Sequence, residues 1–145
     1  MNWRDFLLLA TRLAAAGTEA DWRSAVSRAY YAAFHVARTL LAGWNFVVPR
    51  ADRAHQYLVF RLSNSGEPAV EQSGRDLETL RRLRNRADYD EKPALTQPQA
   101  NAAVQLAANI IQVLDAAHLN PAYTRVRDSM VAYERDVLHD VTWQP

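Results

Sequence analysis

Apolar side chains recur three and four residues apart through almost the whole chain, with polar breaks between the runs. This period is that of an α-helix with one buried face, and it argues against a fold built from strands. Glycine, proline or polar residues end the runs, which sets the boundaries of six helices. Thr18 is predicted to cap the second helix. The predicted helices cover residues 2–16, 19–42, 51–63, 69–90, 97–118 and 121–140.

Strand-like composition is confined to residues 45–48, which Pro49 follows directly. Four long helices joined by short connections are typical of an antiparallel, up-and-down bundle. The sequence therefore predicts an all-α fold with four to five main helices and an extra C-terminal helix. Because 145 residues fit one domain, we expect a single domain over residues 1–140 and a frayed tail over residues 141–145.

Composition excludes several classes of site. The chain has no cysteine, which excludes disulfides, thiolate metal sites and a cysteine nucleophile. Its four histidines and its acidic residues show no metal-ligand spacing, and its four glycines match no phosphate-binding loop. We therefore predict neither a metal nor a cofactor. The N-terminus has no secretory signal and no apolar run approaches about 18 residues, so we expect a cytoplasmic protein without membrane contact.

The charge of the chain argues against a strongly cationic nucleic-acid binder, because the net charge is only +1. The basic residues are nevertheless almost all arginine, with Lys92 as the single lysine. One explanation is a GC-rich genome, which favours arginine codons. The other is a need for planar, bidentate contacts to phosphate or carboxylate.

The second helix carries an apolar seam and, on the far side, a stripe of polar and aromatic residues. The stripe residues follow one another at spacings of three and four, which places them on one face: Ser24, Arg28, Tyr31, His35 and Arg38. One interpretation is a solvated face. The other is a groove, a dimer interface or an anion site, since aromatic, imidazole and guanidinium groups suit all three.

The fourth helix places an arginine within its apolar face. That face consists of Leu77, Leu80, Leu83 and Ala87. Arg84 falls inside it and needs a partner there, whereas Arg86 is predicted to point to water. Asp88 is one turn from Arg84 and can pair with it, and Asn85 can add hydrogen bonds. The pair is either an ion pair that joins two helices or subunits, or an anion site in which Arg84 meets a phosphate. Tyr89 either packs or presents its hydroxyl at the helix end.

Two motifs resemble a known family. The first reads Ser-Arg-Ala-Tyr-Tyr-Ala-Ala-Phe-His over residues 27–35, and the second reads Arg-Asn-Arg-Ala-Asp-Tyr over residues 84–89. His55 and an apolar helix lie between them. Together they resemble the HEPN superfamily, whose name abbreviates higher eukaryotes and prokaryotes nucleotide-binding, over about residues 5–118. The most similar branch is the one with an Ala-Asp-Tyr signature.

The resemblance implies an antiparallel bundle of four or five helices that is usually a homodimer. Many members are encoded beside a minimal nucleotidyltransferase and form a toxin–antitoxin pair with it. Active members are metal-independent ribonucleases, whose catalytic Arg and His lie a few residues apart on the fourth helix. In some members the partner adenylylates a Tyr that follows this His, and whether Tyr89 is modified stays open.

One part of the family's pattern is missing here. In the resembling family four to six residues separate the catalytic Arg from the His, but no histidine lies between Arg84 and Pro93, and Asp88 does not easily replace an imidazole. Cleavage of RNA without a metal needs a base for the 2′-hydroxyl and an acid for the leaving oxygen. Arg50 and His55 have a matching spacing, but they begin the third helix, and we treat this as coincidence. The ribonuclease motif is therefore not intact, which favours a protein that is not an enzyme and leaves enzymatic activity an open question.

Three hypotheses on function follow. The leading one is a non-catalytic component of a toxin–antitoxin-type pair with a minimal nucleotidyltransferase, which binds a nucleotide, RNA or a protein partner. Its candidate binding residues are Arg28, Tyr31, His35, Arg84, Asn85, Asp88 and Tyr89. The second is a ribonuclease toxin with a modified site, in which Arg84 stabilises the phosphate and His35 acts as the base. The third is a structural dimeric scaffold, in which Arg84 and Asp88 form only an ion pair.

Overall fold

The computed structural model describes all residues from Met1 to Pro145, and most of them are helical. The helices are α1 (Arg4–Ala14), α2 (Glu19–Gly43), α3 (Asp52–Leu62), α4 (Pro68–Tyr89), α5 (Gln97–Ala117) and α6 (Ala122–Tyr133), and a π-helical turn, Glu134–Leu138, follows α6 directly. The strand-like stretch contributes only one isolated antiparallel bridge, between Phe46 and Trp143. The all-α class and the six predicted helices are therefore confirmed. The last helix differs most, because its α-helical part ends at Tyr133 rather than at residue 140.

The residues group into two compact units. The first unit contains residues 1–36 and 76–110, and the second contains residues 37–75 and 111–145. Three helices, α2, α4 and α5, contribute residues to both units. The single domain over residues 1–140 stays a prediction.

Alanine forms a large part of the core of the first unit. Small side chains let helices approach each other closely. This explains how the long helices here can pack tightly against their neighbours along one face. The fully buried alanines are Ala10 of α1, Ala25, Ala29, Ala32 and Ala33 of α2, and Ala100, Ala103 and Ala107 of α5. Leu77 and Leu80 of α4 are also fully buried. Val26, Ala29 and Ala33, which belong to the apolar seam predicted for the second helix, are therefore in this core.

Local capping explains where two helices of the first unit begin. The Thr18 hydroxyl accepts a hydrogen bond from the backbone N–H of Asp21 at 3.2 Å, which confirms Thr18 as the cap of α2. At the start of α5, Thr96 and Gln99 form a reciprocal pair. The Thr96 hydroxyl accepts from the Gln99 N–H at 3.3 Å, and the Gln99 side-chain oxygen accepts from the Thr96 N–H at 2.9 Å. Such caps satisfy N–H groups that have no partner within the helix.

A buried ion pair lies at the centre of the second unit. Arg61 of α3 and Glu134 of the π-helical turn are 2.8 Å apart between Nε and Oε2, and their side chains are 5% and 0% exposed. A buried carboxylate is tolerated only where its oxygens are fully bonded. The backbone N–H groups of Thr142 and Trp143 donate to Oε1 at 2.9 and 3.1 Å, and the Thr142 hydroxyl donates to Oε2. The carboxylate therefore needs the last residues of the chain.

Residues 141–145, which are predicted to fray, make several hydrogen bonds within the second unit. Besides the bonds to Glu134, the indole N–H of Trp143 donates to the carbonyl of Trp44 at 2.9 Å. The backbone N–H of Gln144 donates to the carbonyl of Asn45 at 2.9 Å. The tail is thus paired with the segment after α2. Its residue Trp143 is the bridge partner of Phe46, which lies in the strand-like stretch over residues 45–48.

Candidate functional site

A guanidinium group joins α4 to α2 in the first unit. Arg84 donates from Nη2 to the hydroxyl of Tyr31 at 2.6 Å and from Nη1 to the side-chain oxygen of Asn85 at 2.6 Å. Its side chain is only 17% exposed, as expected from its position within the apolar face. An arginine has five N–H donors, so these two bonds fix the group and leave further donors.

Asp88 balances the charge of this arginine. Its Oδ2 lies 3.1 Å from Nε of Arg84, but the N–H does not point along that line, since Nε makes no hydrogen bond. The same oxygen accepts a hydrogen bond from the Ser27 hydroxyl at 3.2 Å. We call Ser27, Tyr31, Arg84, Asn85 and Asp88 the Arg84 cluster. It combines a fixed guanidinium with a carboxylate that is attracted to it without a directed bond to Nε.

Three tyrosine rings surround the guanidinium. Its central carbon is 5.2, 5.7 and 5.9 Å from the ring centroids of Tyr31, Tyr30 and Tyr89. These distances are those of cation–π contacts. Burial raises the pKa of the Tyr30 phenol, and the nearby charges of Arg81 and Arg84 oppose this rise. Tyr89 is 75% exposed, so its hydroxyl is presented to solvent.

His35 contacts the cluster through Tyr31. Its ring lies 6.0 Å from the Tyr31 ring at an interplanar angle of 26°. On another side it stacks on the indole of Trp3, with 3.7 Å between centroids and an angle of 15°. Tyr31 therefore contacts both the predicted imidazole and the predicted guanidinium.

The other predicted residues are placed differently. The guanidinium of Arg28 lies 5.1 Å from the ring centroid of Phe6, so α1 partly covers the stripe on α2. Arg38 belongs to the second unit. Arg86 does not simply point to water, because it is half-buried and its Nε is buried without a hydrogen-bond partner. The structure thus brings together Tyr31, Arg84, Asn85 and Asp88, with His35 and Tyr89 beside them.

Sequence reasoning missed the role of Arg23. From α2 it donates hydrogen bonds to five backbone carbonyls at and beyond the end of α4, those of Arg86, Ala87, Asp90, Glu91 and Pro93. Glu19 completes this contact, because one of its oxygens accepts from Arg23 at 3.0 Å and from the backbone N–H of Leu95 at 2.9 Å. These two bonds, the backbone one first, lower the pKa of the Glu19 carboxyl. The spacing of four between Glu19 and Arg23 indicates a helical ion pair, but not its distant partners.

An open cavity of about 440 Å³ adjoins the cluster at the end of α4. Four carboxylates are among the residues that line it, those of Glu19, Asp88, Asp90 and Glu91. Their charge disfavours a phosphate in this cavity.

The structure brings no three His, Asp or Glu side chains into an arrangement that holds a metal ion. No single helix has both the length and the apolar character to cross a membrane. One bent pair, α5 with the helical run from Ala122 to Leu138, is long and apolar enough by length and composition alone.

Comparison with known families gives one match. The family model described as HEPN domain matches residues 4–119 of this chain, and the chain therefore belongs to the HEPN family. The match contains α1 to α5 and the whole Arg84 cluster. At the level of the family, this points to a role connected with nucleotides or RNA, or with a toxin–antitoxin pair. No curated protein and no solved structure is similar enough to count as a match.

Proposed function

We propose that this protein is a non-catalytic HEPN component that binds RNA or a nucleotide by a phosphate group, through Arg84. The observation that carries the proposal is the hydrogen bond of 2.6 Å from Arg84 Nη2 to the hydroxyl of Tyr31. It holds a mostly buried guanidinium in one orientation while other N–H donors of the group remain for an anion. An arginine held in this way suits phosphate, which it can contact by two parallel bonds.

The groups bonded to Arg84 favour binding over cleavage. They are a phenol, an amide and a carboxylate, and metal-free cleavage needs a base and an acid that change protonation near neutral pH. Burial raises the pKa of the adjacent Tyr30 phenol away from that range. His35 contacts the cluster through Tyr31, which keeps a ribonuclease with a modified site as the second candidate.

The first experiment measures binding and cleavage in one sample. The purified protein is mixed with a pool of RNA in the presence of a chelator, and filter binding and gel analysis are run in parallel. Arg84→Ala is expected to weaken binding about tenfold and to lower the slope of log affinity against log salt by about 1. Arg82→Ala is the matched control, since Arg82 is on the same helix but its side chain is 77% exposed. We expect it to change affinity less than threefold, within about 0.6 kcal/mol.

Each outcome separates the hypotheses. Unchanged binding in Arg84→Ala, or equal losses in both variants, would contradict the proposal. Cleavage by the wild type that disappears in Arg84→Ala and in His35→Ala would favour the ribonuclease. If Asp88→Asn raises the affinity, the carboxylate competes with phosphate, as the proposal requires. A scaffold in which the pair is structural predicts instead a loss of stability and no effect on RNA.

The proposal also includes partners, which the family resemblance suggests. We propose a homodimer and a complex with a minimal nucleotidyltransferase, in the cytoplasm, where cellular RNA is present. Support comes from large side chains on the surface of the first unit, since Leu8 is 64% and Tyr89 75% exposed, and exposed apolar groups favour interfaces. Light scattering of the purified protein tests the dimer, and co-purification with a nucleotidyltransferase encoded beside it tests the complex.

A further inference from the structure

Three rings lie one after another beside the Arg84 cluster. Trp3 stacks on His35 at 3.7 Å and 15°, and His35 faces Tyr31 at 6.0 Å and 26°. We call Trp3, His35 and Tyr31 the aromatic ladder. All three residues are half-buried, so each keeps part of its surface open to solvent.

The ladder ends at the guanidinium. The hydroxyl of Tyr31 accepts the hydrogen bond from Arg84, and Arg28, one turn before Tyr31 on α2, is exposed and lies over Phe6. Asp88, Asp90 and Glu91 line the cavity at the end of α4. The ladder, with Arg84 and Arg28, therefore offers rings and cations to a chain of alternating bases and phosphates.

Trp3 is not part of the fully buried core. Residue 3 precedes α1 and is only half-buried, and the apolar residues that α1 buries completely are Ala10 and Ala14. The indole also makes an edge-to-face contact with Phe6, with 5.6 Å between the ring centroids and 64° between the ring planes. Two neighbouring rings thus hold the large aromatic surface of Trp3 beside Arg84. Proteins that bind single-stranded nucleic acids stack the bases on aromatic side chains placed beside basic groups in this way.

We propose that the aromatic ladder is a base-binding platform, on which a nucleobase of single-stranded RNA stacks against Trp3 while Arg84 holds an adjacent phosphate. This inference rests on the proposed function and adds to it the part of the ligand that is recognised. Stacking accepts any base because every base has a π-face. The platform therefore gives affinity for unpaired RNA and little preference for sequence.

The test compares two ligands of equal length, an oligoadenylate RNA and an abasic ribose-phosphate oligomer. Both carry the phosphates that Arg84 binds, but only the first carries bases. The wild type is expected to bind the oligoadenylate about tenfold more tightly than the abasic oligomer. In Trp3→Ala the two affinities become equal, and Trp3→Phe restores a large part of the difference. Thr11→Ala is the control on α1, because Thr11 is exposed and uncharged, and it should leave the difference between the two ligands unchanged.

Tryptophan emission gives a second readout at the residue itself. Binding of oligoadenylate is expected to quench the emission of the wild type, and this change disappears in Trp3→Phe. Circular dichroism confirms that each variant is folded. If the wild type binds both ligands equally and Trp3→Ala changes nothing, the platform is wrong while the phosphate site stands. If the wild type binds neither ligand, both the proposed function and this inference are overturned.

Discussion

Gly74 of α4 fixes a packing distance in the second unit by the absence of one methyl group. A Cβ at this position would stand 2.5 Å from Oγ and 2.7 Å from the backbone nitrogen of Ser63, and 3.0 Å from the Cβ of Leu62. Backbone atoms cannot move aside as the end of a flexible side chain can. The close approach of α4 to the end of α3 therefore depends on glycine here.

Substitution of this glycine is a prediction at the scale of one residue. Gly74→Ala is expected to lower the free energy of unfolding by about 1–3 kcal/mol, because overpacking forces backbone shifts. Urea denaturation measures the loss. Gly43→Ala is the control, since a Cβ there meets nothing within 4 Å and alanine favours helices, so it should be neutral or slightly stabilising. Equal losses in the two variants would contradict this explanation.

The position of single residues was predictable only in part. The helical period places Arg84 within the apolar face of its helix, and the structure agrees, because the period is a local property of the chain. The same period places Arg86 in water, but the structure half-buries it. Whether a helix face is covered depends on how distant segments of the chain pack against it. The helical period of one segment does not contain this information.

At the scale of elements, Arg23 joins the start of α2 to the end of α4. The carbonyls at the end of a helix lack partners within it, and Arg23 supplies donors to them and to the loop that follows. Glu19 holds both Arg23 and the backbone of Leu95. The segment between α4 and α5 is therefore held from one side by two residues one turn apart.

Removal of this contact should loosen the end of α4. Arg23→Ala is expected to cost about 2 kcal/mol, since hydrogen bonds of a charged group are lost, and to speed hydrogen exchange at residues 86–95. Mass spectrometry of exchange in that segment is the measurement. Arg12→Ala, an exposed arginine on α1, is the control and should leave the exchange unchanged. Slow exchange in Arg23→Ala would mean that the loop is held by other contacts.

The start of α2 was predictable because its signal is short, since Thr18 lies three residues before Asp21, whose N–H it caps. The end of the last α-helix at Tyr133 was not predicted, because the apolar period indicated a helix up to residue 140. The stacking of Trp3 on His35 and the reach of Arg23 to residues 86–93 join segments far apart in the chain. The site therefore appeared in the sequence as a stripe and a motif, without the residues of α1 that cover part of it.

At the scale of the whole molecule, each unit buries one tyrosine. Tyr30 in the first unit is 4% exposed, and Tyr57 in the second is 8% exposed. Burial is the main reason that the pKa of each phenol is raised above its ordinary value of 10.0. In the folded state both phenols therefore hold their protons at pH values where the unfolded chain loses them.

The sign of the resulting pH dependence follows from linkage. The stabilising contribution of each phenol is fully present below pH 10 and is lost as the pH rises from there towards the raised folded pKa. We expect the free energy of unfolding of the wild type to fall as the pH rises above about 10 in urea titrations. Tyr30→Phe and Tyr57→Phe should each make this fall smaller, whatever they do at neutral pH. An unchanged slope in both variants would show that other groups control alkaline unfolding.

The pairing of the tail with the segment after α2 also has a consequence for the order of folding. The hydrogen bond from Gln144 to Asn45 closes a loop that contains most of the chain, and contacts this far apart form late because loop closure costs entropy before it is repaid. Glu134 accepts from Thr142 and Trp143 only when the tail has arrived. Thr142 and Trp143 thus complete the burial of a charge in the second unit, and we expect that unit to reach its final packing only after this long loop has closed.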